Sequence, residues 1–281
     1  MTESGIDIEL LDNVEALMRD VATEHILPRF RSLAEGEVEA KTGPQDLVTV
    51  ADREAEEALI PALEALVPGS RVVGEEGVSL GTVSTDLLLG DSPVWLVDPV
   101  DGTYNFVQGS ERFGVMVALC RRQVVEAGWI LFPVDGRCLR AARGQGAIFG
   151  GELLKTPQAK RFEQAHGDYS HAYVEEPYRS AFLQATEHAA GVRQGRCSAY
   201  AYGDLARGLI DCVVQYQMTP WDHAAGQLIV EEAGGRFGFL PGGEPYTPIA
   251  HPSRPMLSVG NTSVWEDYAK RMRSVLPSNL T

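Results

Sequence analysis

Leu10, Val14, Leu17, Met18 and Val21 recur at three- and four-residue spacing, which predicts an amphipathic helix from about Ile6 into the early thirties. A polar stretch with Gly and Pro, GEVEAKTGPQD, follows and reads as a loop. Helical periodicity returns in VADREAEEALIPALEALV and stops at Pro68-Gly69. The pattern then shortens. RVVGEE reads as a short buried strand ending in two acids, and PVWLVDP repeats that design. GVMVALCR and VVEAGWILFP continue as a meander that turns near Arg121-Arg122. Beyond Gly150-Gly151 helical and strand periods mix. This predicts one compact fold with a boundary near residue 150, an N-terminal α+β part over 1–150 and a C-terminal α/β part over 151–281.

The 281 residues are 44% hydrophobic, ample for a large core. No apolar run is long enough to cross a membrane, and the acidic start MTESGIDIELLDNVEALMRD lacks the basic and apolar regions of a signal peptide. Cys120, Cys138, Cys197 and Cys212 are widely spaced, so neither a disulfide framework nor a thiolate metal site is expected, and a cytoplasmic location fits. The net charge of −15 disfavours nucleic acid as a partner. For a phosphorylated ligand the sign must be reversed locally, which divalent cations would do.

Four acidic elements stand out, and each has an ordinary explanation alone. Asp98 and Asp101, in WLVDPVDGTYNF, fit a turn. Glu75 and Glu76 follow Gly74 at a strand end and fit a solvated loop. Asp222, in TPWDHAAGQLIVEEAGG, falls in the first turn of a helix with Thr219 as its N-cap and Pro220 at its first position; Asp52, in DLVTVADREAE, sits near another helix start. Together they suit a hard cation such as Mg²⁺, which takes oxygen ligands and keeps positions for water and phosphate oxygens. Without a cation, carboxylates so gathered would raise one another's pKa.

GEE at Gly74–Glu76, DPVDGT at Asp98–Thr103 and WDHAAG at Trp221–Gly226, in that order, resemble the signature of the inositol monophosphatase family. The resemblance runs from KTGPQDLVTVAD to EEAGG. It implies a layered αβαβα sandwich, a homodimer, and Mg²⁺-dependent, Li⁺-sensitive hydrolysis of a small sugar or polyol phosphate by water activated at the metals. By the same resemblance Glu75, Asp98 and the Val100 carbonyl hold one Mg²⁺, and Asp98 bridges to a second held by Asp101 and Asp222. Glu75 and Glu76 help hold water, with room for a weaker third ion. Asp52 and Thr103 orient the attacking water, and the N–H groups of Gly102 and Thr103 receive the phosphate. A lysine also approaches the family's site, and Lys41 matches its spacing, although a solvated loop lysine is the simpler expectation. His223 is expected to be structural, as are Trp95 and Trp221.

The match is weakest in RQGRCSAYAYGDLARG, where Arg196, Cys197 and Ser198 replace the glycine and small residues that contact the sugar ring in inositol-specific members. Gln215, seven positions before Asp222, stands where those members carry an acid, and Arg196 offers a contact for a second anionic group. Histidinol-phosphate phosphatase, fructose-1,6-bisphosphatase and 3′-phosphoadenosine phosphatase are therefore alternative activities. A catalytically silent regulator that binds a phosphorylated ligand is the alternative of another class.

Overall fold

A computed structural model describes residues 6–43, 46–169, 174, 176–251 and 253–276. The strands are β1 (Val38–Gly43), β2 (Asp46–Thr49), β3 (Arg71–Gly74), β4 (Val94–Asp101), β5 (Gly114–Arg121), β6 (Val124–Phe132), β7 (Arg137–Ala142), β8 (Ala147–Phe149), β9 (Glu152–Leu153), β10 (His166–Tyr169), β11 (Gly191–Arg193), β12 (Cys212–Gln215), β13 (Arg236–Phe239) and β14 (Met256–Val259). The α-helices are α1 (Ile8–Val21), α2 (Val50–Leu66), α3 (Glu75–Ser79), α4 (Thr103–Val107), α5 (Tyr178–Thr186), α6 (Ser198–Ala206), α7 (Pro220–Glu232) and α8 (Trp265–Arg273).

Strands β3 to β9 form one seven-stranded sheet in sequence order, and β11-β10-β12-β14-β13 form a second. Alternation along the central strands sorts side chains to two faces. Trp95, Val97, Val115, Val117, Trp129 and Leu131 meet α1 and α2, whereas Leu96, Met116, Ala118 and Ile130 face α6 and α7. The far side of α6 and α7 meets the second sheet through Val213, Phe237 and Met256, and α5 and α8 cover that sheet's outer face around Phe182, Trp265 and Tyr268. The result is the αβαβα sandwich that the resemblance implies.

Local structure departs from the sequence reading in two places and, at the β5–β6 turn, follows it. The first helix passes at Val21 into a π turn, Ala22–Ile26, and a 3₁₀ turn, Leu27–Arg29, which contains Pro28. GEVEAKTGPQD is not simply a loop: β1 and β2 pair antiparallel across it, Ala40 opposite Leu47, while Pro44 and Gln45 lie outside the described residues. The β5–β6 hairpin turns on Arg122 and Gln123, both at positive φ (50° and 61°), the conformation that matches hairpin twist.

Small residues set the spacing that the site depends on. A Cβ on Gly128 of β6 would lie 2.9 Å from Ala225 Cα, and one on Gly226 would overlap the Tyr202 ring. The AAG run of WDHAAG thus lets α7 lie directly on the first sheet and against α6, bringing Asp222 to the end of β4.

Candidate active site

Asp98 and Asp101 are three apart, which in a regular strand puts side chains on opposite faces. Their β5 partners, Met116 and Gly114, are only two apart. One extra residue is therefore accommodated in β4, a bulge that returns both carboxylates to the same face. Pro99 lies within it, where no ladder N–H is required. The expected turn is thus a bulged strand, and the chain leaves it at Gly102, at φ 86°. A Cβ there would approach Cys197 Cβ at 3.0 Å and the Arg112 carbonyl at 3.2 Å, so only glycine fits.

Beyond these strand ends opens a cleft of about 950 Å³ whose lining includes Lys41, Glu75, Asp98, Asp101, Thr103 and Asp222. Glu75 opens α3 and Asp222 lies in the first turn of α7. One carboxylate oxygen each from Glu75, Asp98 and Asp222 falls within 4.8 Å of the others. Asp101 stands beside this trio but is committed elsewhere: its carboxylate accepts from Ser198 N (3.1 Å), Ala199 N (2.6 Å) and the Cys197 thiol (2.8 Å), capping α6. The Val100 carbonyl accepts from Thr103 Oγ1 at 3.0 Å. Thr219 occupies the N-cap of α7, and its hydroxyl donates to Asp222 rather than accepting from the backbone.

Burial dominates the electrostatics. It pushes Asp98 well above the usual carboxylate range, with Glu75, Asp101 and Asp222 adding repulsion. Burial also raises Glu75 and Asp222, and lifts Asp101 to about 7. Lys41 supplies nearby positive charge: Nζ donates to Glu75 at 2.8 Å and to Glu76 at 2.6 Å. Burial lowers the ammonium's pKa, but the two glutamates more than offset this and leave it raised. The solvated loop lysine is thereby corrected: Lys41 lies in β1 with its side chain only 12% exposed. The set is oxygen-only, acid-rich and short of positive charge, which fits Mg²⁺ rather than a thiophilic metal.

Asp52 serves two ends. Its Oδ2 accepts from Thr49 N (2.9 Å) and Thr49 Oγ1 (2.5 Å) as half of a capping box, and its Oδ1 accepts from Thr103 Oγ1 (3.0 Å). Burial raises Asp52 to about 7. Glu56, one helical turn on, was not singled out in the sequence. It accepts from Glu76 N (2.9 Å) and Gly77 N (2.7 Å), fixing the start of α3 and with it Glu75. The signal was its i, i+4 spacing from Asp52 on the face that also carries Ala55 and Leu59.

Arg196, Cys197, Ser198 and Gln215 also line the cleft. The Gln215 amide is engaged at both ends, by the Tyr202 hydroxyl oxygen at one and by Ser198 Oγ (3.0 Å) at the other. His223 Nε2 faces the Gln217 carbonyl at 2.6 Å, which can only accept, so Nε2 carries the proton and Nδ1 receives the Tyr202 hydroxyl (2.7 Å). Burial lowers His223 to about 4, and its ring is structural, as expected.

This architecture is shared with solved structures. The Thermotoga maritima IMPase superposes with a TM-score of 0.81 over 95% of this chain and 98% of its own, at 27% identity. An inositol monophosphatase from Zymomonas mobilis, at 24% identity, shares the fold with a TM-score of 0.78 over 97% and 99% of the two chains. Residues 7–265 match the inositol monophosphatase family. The chain belongs to that family, a family of Mg²⁺-dependent phosphoric monoester hydrolases. Curated relatives include a fructose-1,6-bisphosphatase/inositol-1-monophosphatase of Thermotoga maritima, 32% identical over 70% of this chain and 73% of its own. An inositol-1-monophosphatase of Bacillus subtilis is 30% identical over 81% and 83%. A third relative, 28% identical over 84% and 86%, is the Nus factor SuhB of Pseudomonas aeruginosa.

Proposed function

We propose that the protein is a Mg²⁺-dependent phosphomonoesterase acting on small sugar or polyol phosphates. The observation that carries this reading is the convergence of Glu75, Asp98 and Asp222 from three separate elements at the floor of one cleft. In it, Glu75, Asp98, the Val100 carbonyl, Asp101 and Asp222 would hold the ions. Bound Mg²⁺ supplies charge compensation for the phosphate and a lowered pKa for water. The chain's own part is positioning. Lys41 holds Glu75 and Glu76, Glu56 holds the start of α3, and Asp101 ties the acid floor to α6. Thr103 Oγ1, donating to Asp52 Oδ1, leaves its lone pairs to align a water proton. Asp52, which burial raises in the metal-free fold, is the carboxylate placed beside Thr103 to take up the water's proton. The backbone N–H groups of Gly102 and Thr103 would meet the phosphate oxygens.

The intact Asp52–Thr103 pair disfavours the silent-regulator alternative, since mere ligand binding does not need a water-orienting group. Phosphate release from a panel of monoesters with Mg²⁺ and with chelator separates the two readings. Mg²⁺-dependent release supports the enzyme, and no release from any monoester supports the regulator. A homodimer and a cytoplasmic location complete the proposal. They rest on the resemblance and on four cysteines that are all free and buried.

A further inference from the structure

Arg196 differs from the other described arginines. Eighteen of those reach a carboxylate, and Arg179 donates to the Val174 carbonyl. Among the described residues Arg196 has neither a carboxylate partner nor a hydrogen bond, in a chain where 39 acids face 24 bases. Its backbone is unusual too. At φ 52° it occupies the left-handed region, uncommon for a residue with a side chain and tolerated where the surroundings over-determine it.

The surroundings do so. Gly195 is gripped from both sides: Asn105 Nδ2 donates to its carbonyl (2.9 Å) and its N–H donates to Asp168 Oδ1 (3.1 Å). On the other flank the Cys197 thiol donates to Asp101 Oδ2 (2.8 Å). The Arg196 guanidinium stacks 4.6 Å over the Tyr104 ring, and both residues line the cleft. Stacking occupies a face of the guanidinium and leaves its coplanar N–H fork free, the geometry that pairs with carboxylate or phosphate.

We infer that Arg196 is a specificity residue that selects phosphomonoesters whose alcohol portion carries a second anionic group, a carboxylate or another phosphate. This rests on the phosphomonoesterase reading for where the ester sits. Arg196 immediately precedes Cys197, whose thiol touches Asp101, and it lines the same cleft as Asp98, Asp101 and Asp222. A net charge of −15 repels a multiply charged substrate, and a fixed unpaired cation offsets that repulsion where the second charge lies.

Two matched pairs test the inference: glycerol 3-phosphate against 3-phosphoglycerate, and fructose 1-phosphate against fructose 1,6-bisphosphate. The measurement is the Kd ratio within each pair, by calorimetry with Ca²⁺ replacing Mg²⁺ so that binding is read without turnover. The wild type should favour at least one anionic member, and Arg196→Gly should reduce that preference about 10- to 100-fold. Arg196→Lys should keep part of it. The pair that loses more preference identifies the anion. Arg122→Gly, which removes a side chain from a similar φ of 50° in the β5–β6 turn, should leave both ratios unchanged. Both glycine variants should raise Tm by releasing the left-handed strain.

A wild type indifferent to the second charge in both pairs overturns the inference. So does an Arg196→Gly variant with unaltered ratios, whatever its Tm. Phosphate release in Mg²⁺, measured in parallel, tests the hydrolase reading separately: its failure beside an Arg196-dependent ratio leaves the anion subsite standing.

Discussion

Two groups of buried and half-buried acids lie on either side of the Gly195–Ser198 segment, and they are compensated in opposite ways. On one side, Asp168 and Asp204 are met by arginines: Arg193 bridges both (3.0 and 2.7 Å), and Arg112 and Arg207 reach Asp204 (3.0 and 3.1 Å). On the other, among the described residues Lys41 pairs with Glu75 at 2.8 Å and no ion pair reaches Asp98, Asp101 or Asp222. Buried charge without a partner is costly, and a fold tolerates it where something from solution completes the site. The first group ties the second sheet to α6 and the neighbouring loop. The second is a cluster of carboxylates that could hold a cation.

The sharpest way to break this comparison is to neutralise one acid in each group. Asp98→Asn should lower Mg²⁺-dependent kcat/KM by about 10³-fold or more. It should also raise the Tm of the metal-free protein, because the charged form of Asp98 is the disfavoured one. Asp204→Asn should do the reverse. It strands Arg112 and Arg193, costs about 2 kcal/mol of stability and retains most turnover. Denaturation curves and steady-state kinetics on both variants read the contrast. If both variants lose stability alike, the contrast does not exist.

A smaller effect is expected one step from the acid floor. Thr103→Val removes the hydroxyl that joins Asp52 to the Val100 carbonyl, and should lower kcat about 100-fold with little change in KM, while Thr103→Ser recovers most of it. A loss that appears wholly in KM would place Thr103 in binding only.

The smallest effect concerns pH. Asp52 and Asp101 are raised to about 7 in the metal-free fold, above their unfolded values. The folded form therefore holds more protons than the unfolded chain between the ordinary carboxylate range and about pH 7. The stability from these groups is full below that window and is lost as pH rises through it. Mg²⁺ needs ionised ligands, so the Tm gain on adding Mg²⁺ should be larger near pH 8 than near pH 5. A gain independent of pH would detach metal binding from these acids.

Much of the site was legible in the sequence, because Asp52, Glu75, Asp98, Asp101, Thr103 and Asp222 sit in short motifs whose order is itself informative. The layered fold followed from the family resemblance rather than from periodicity. The bulge was not legible: strand spacing alone places Asp98 and Asp101 on opposite faces, and only pairing with β5 reveals the extra residue. Lys41 matched the family's spacing, but its place in a strand was not legible because β1 and β2 are polar and interrupted by Gly and Pro, so their pairing is set by tertiary contact rather than by a hydrophobic pattern. Nothing in DREAEEAL alone separates Glu56 from Glu54 and Glu57; its register with Asp52 puts it on the buried face. The hold of Tyr202 and Ser198 on Gln215 joins α6 to β12, and no local pattern reports such a contact.

The most direct test of the uncompensated-acid account is a calorimetric titration of Mg²⁺ into the metal-free protein, its Asp98→Asn variant and its Asp204→Asn variant. Saturable binding in the wild type, lost in Asp98→Asn and kept in Asp204→Asn, is the predicted result. Binding that survives Asp98→Asn, or a wild type that takes up no Mg²⁺ near pH 8, would contradict it.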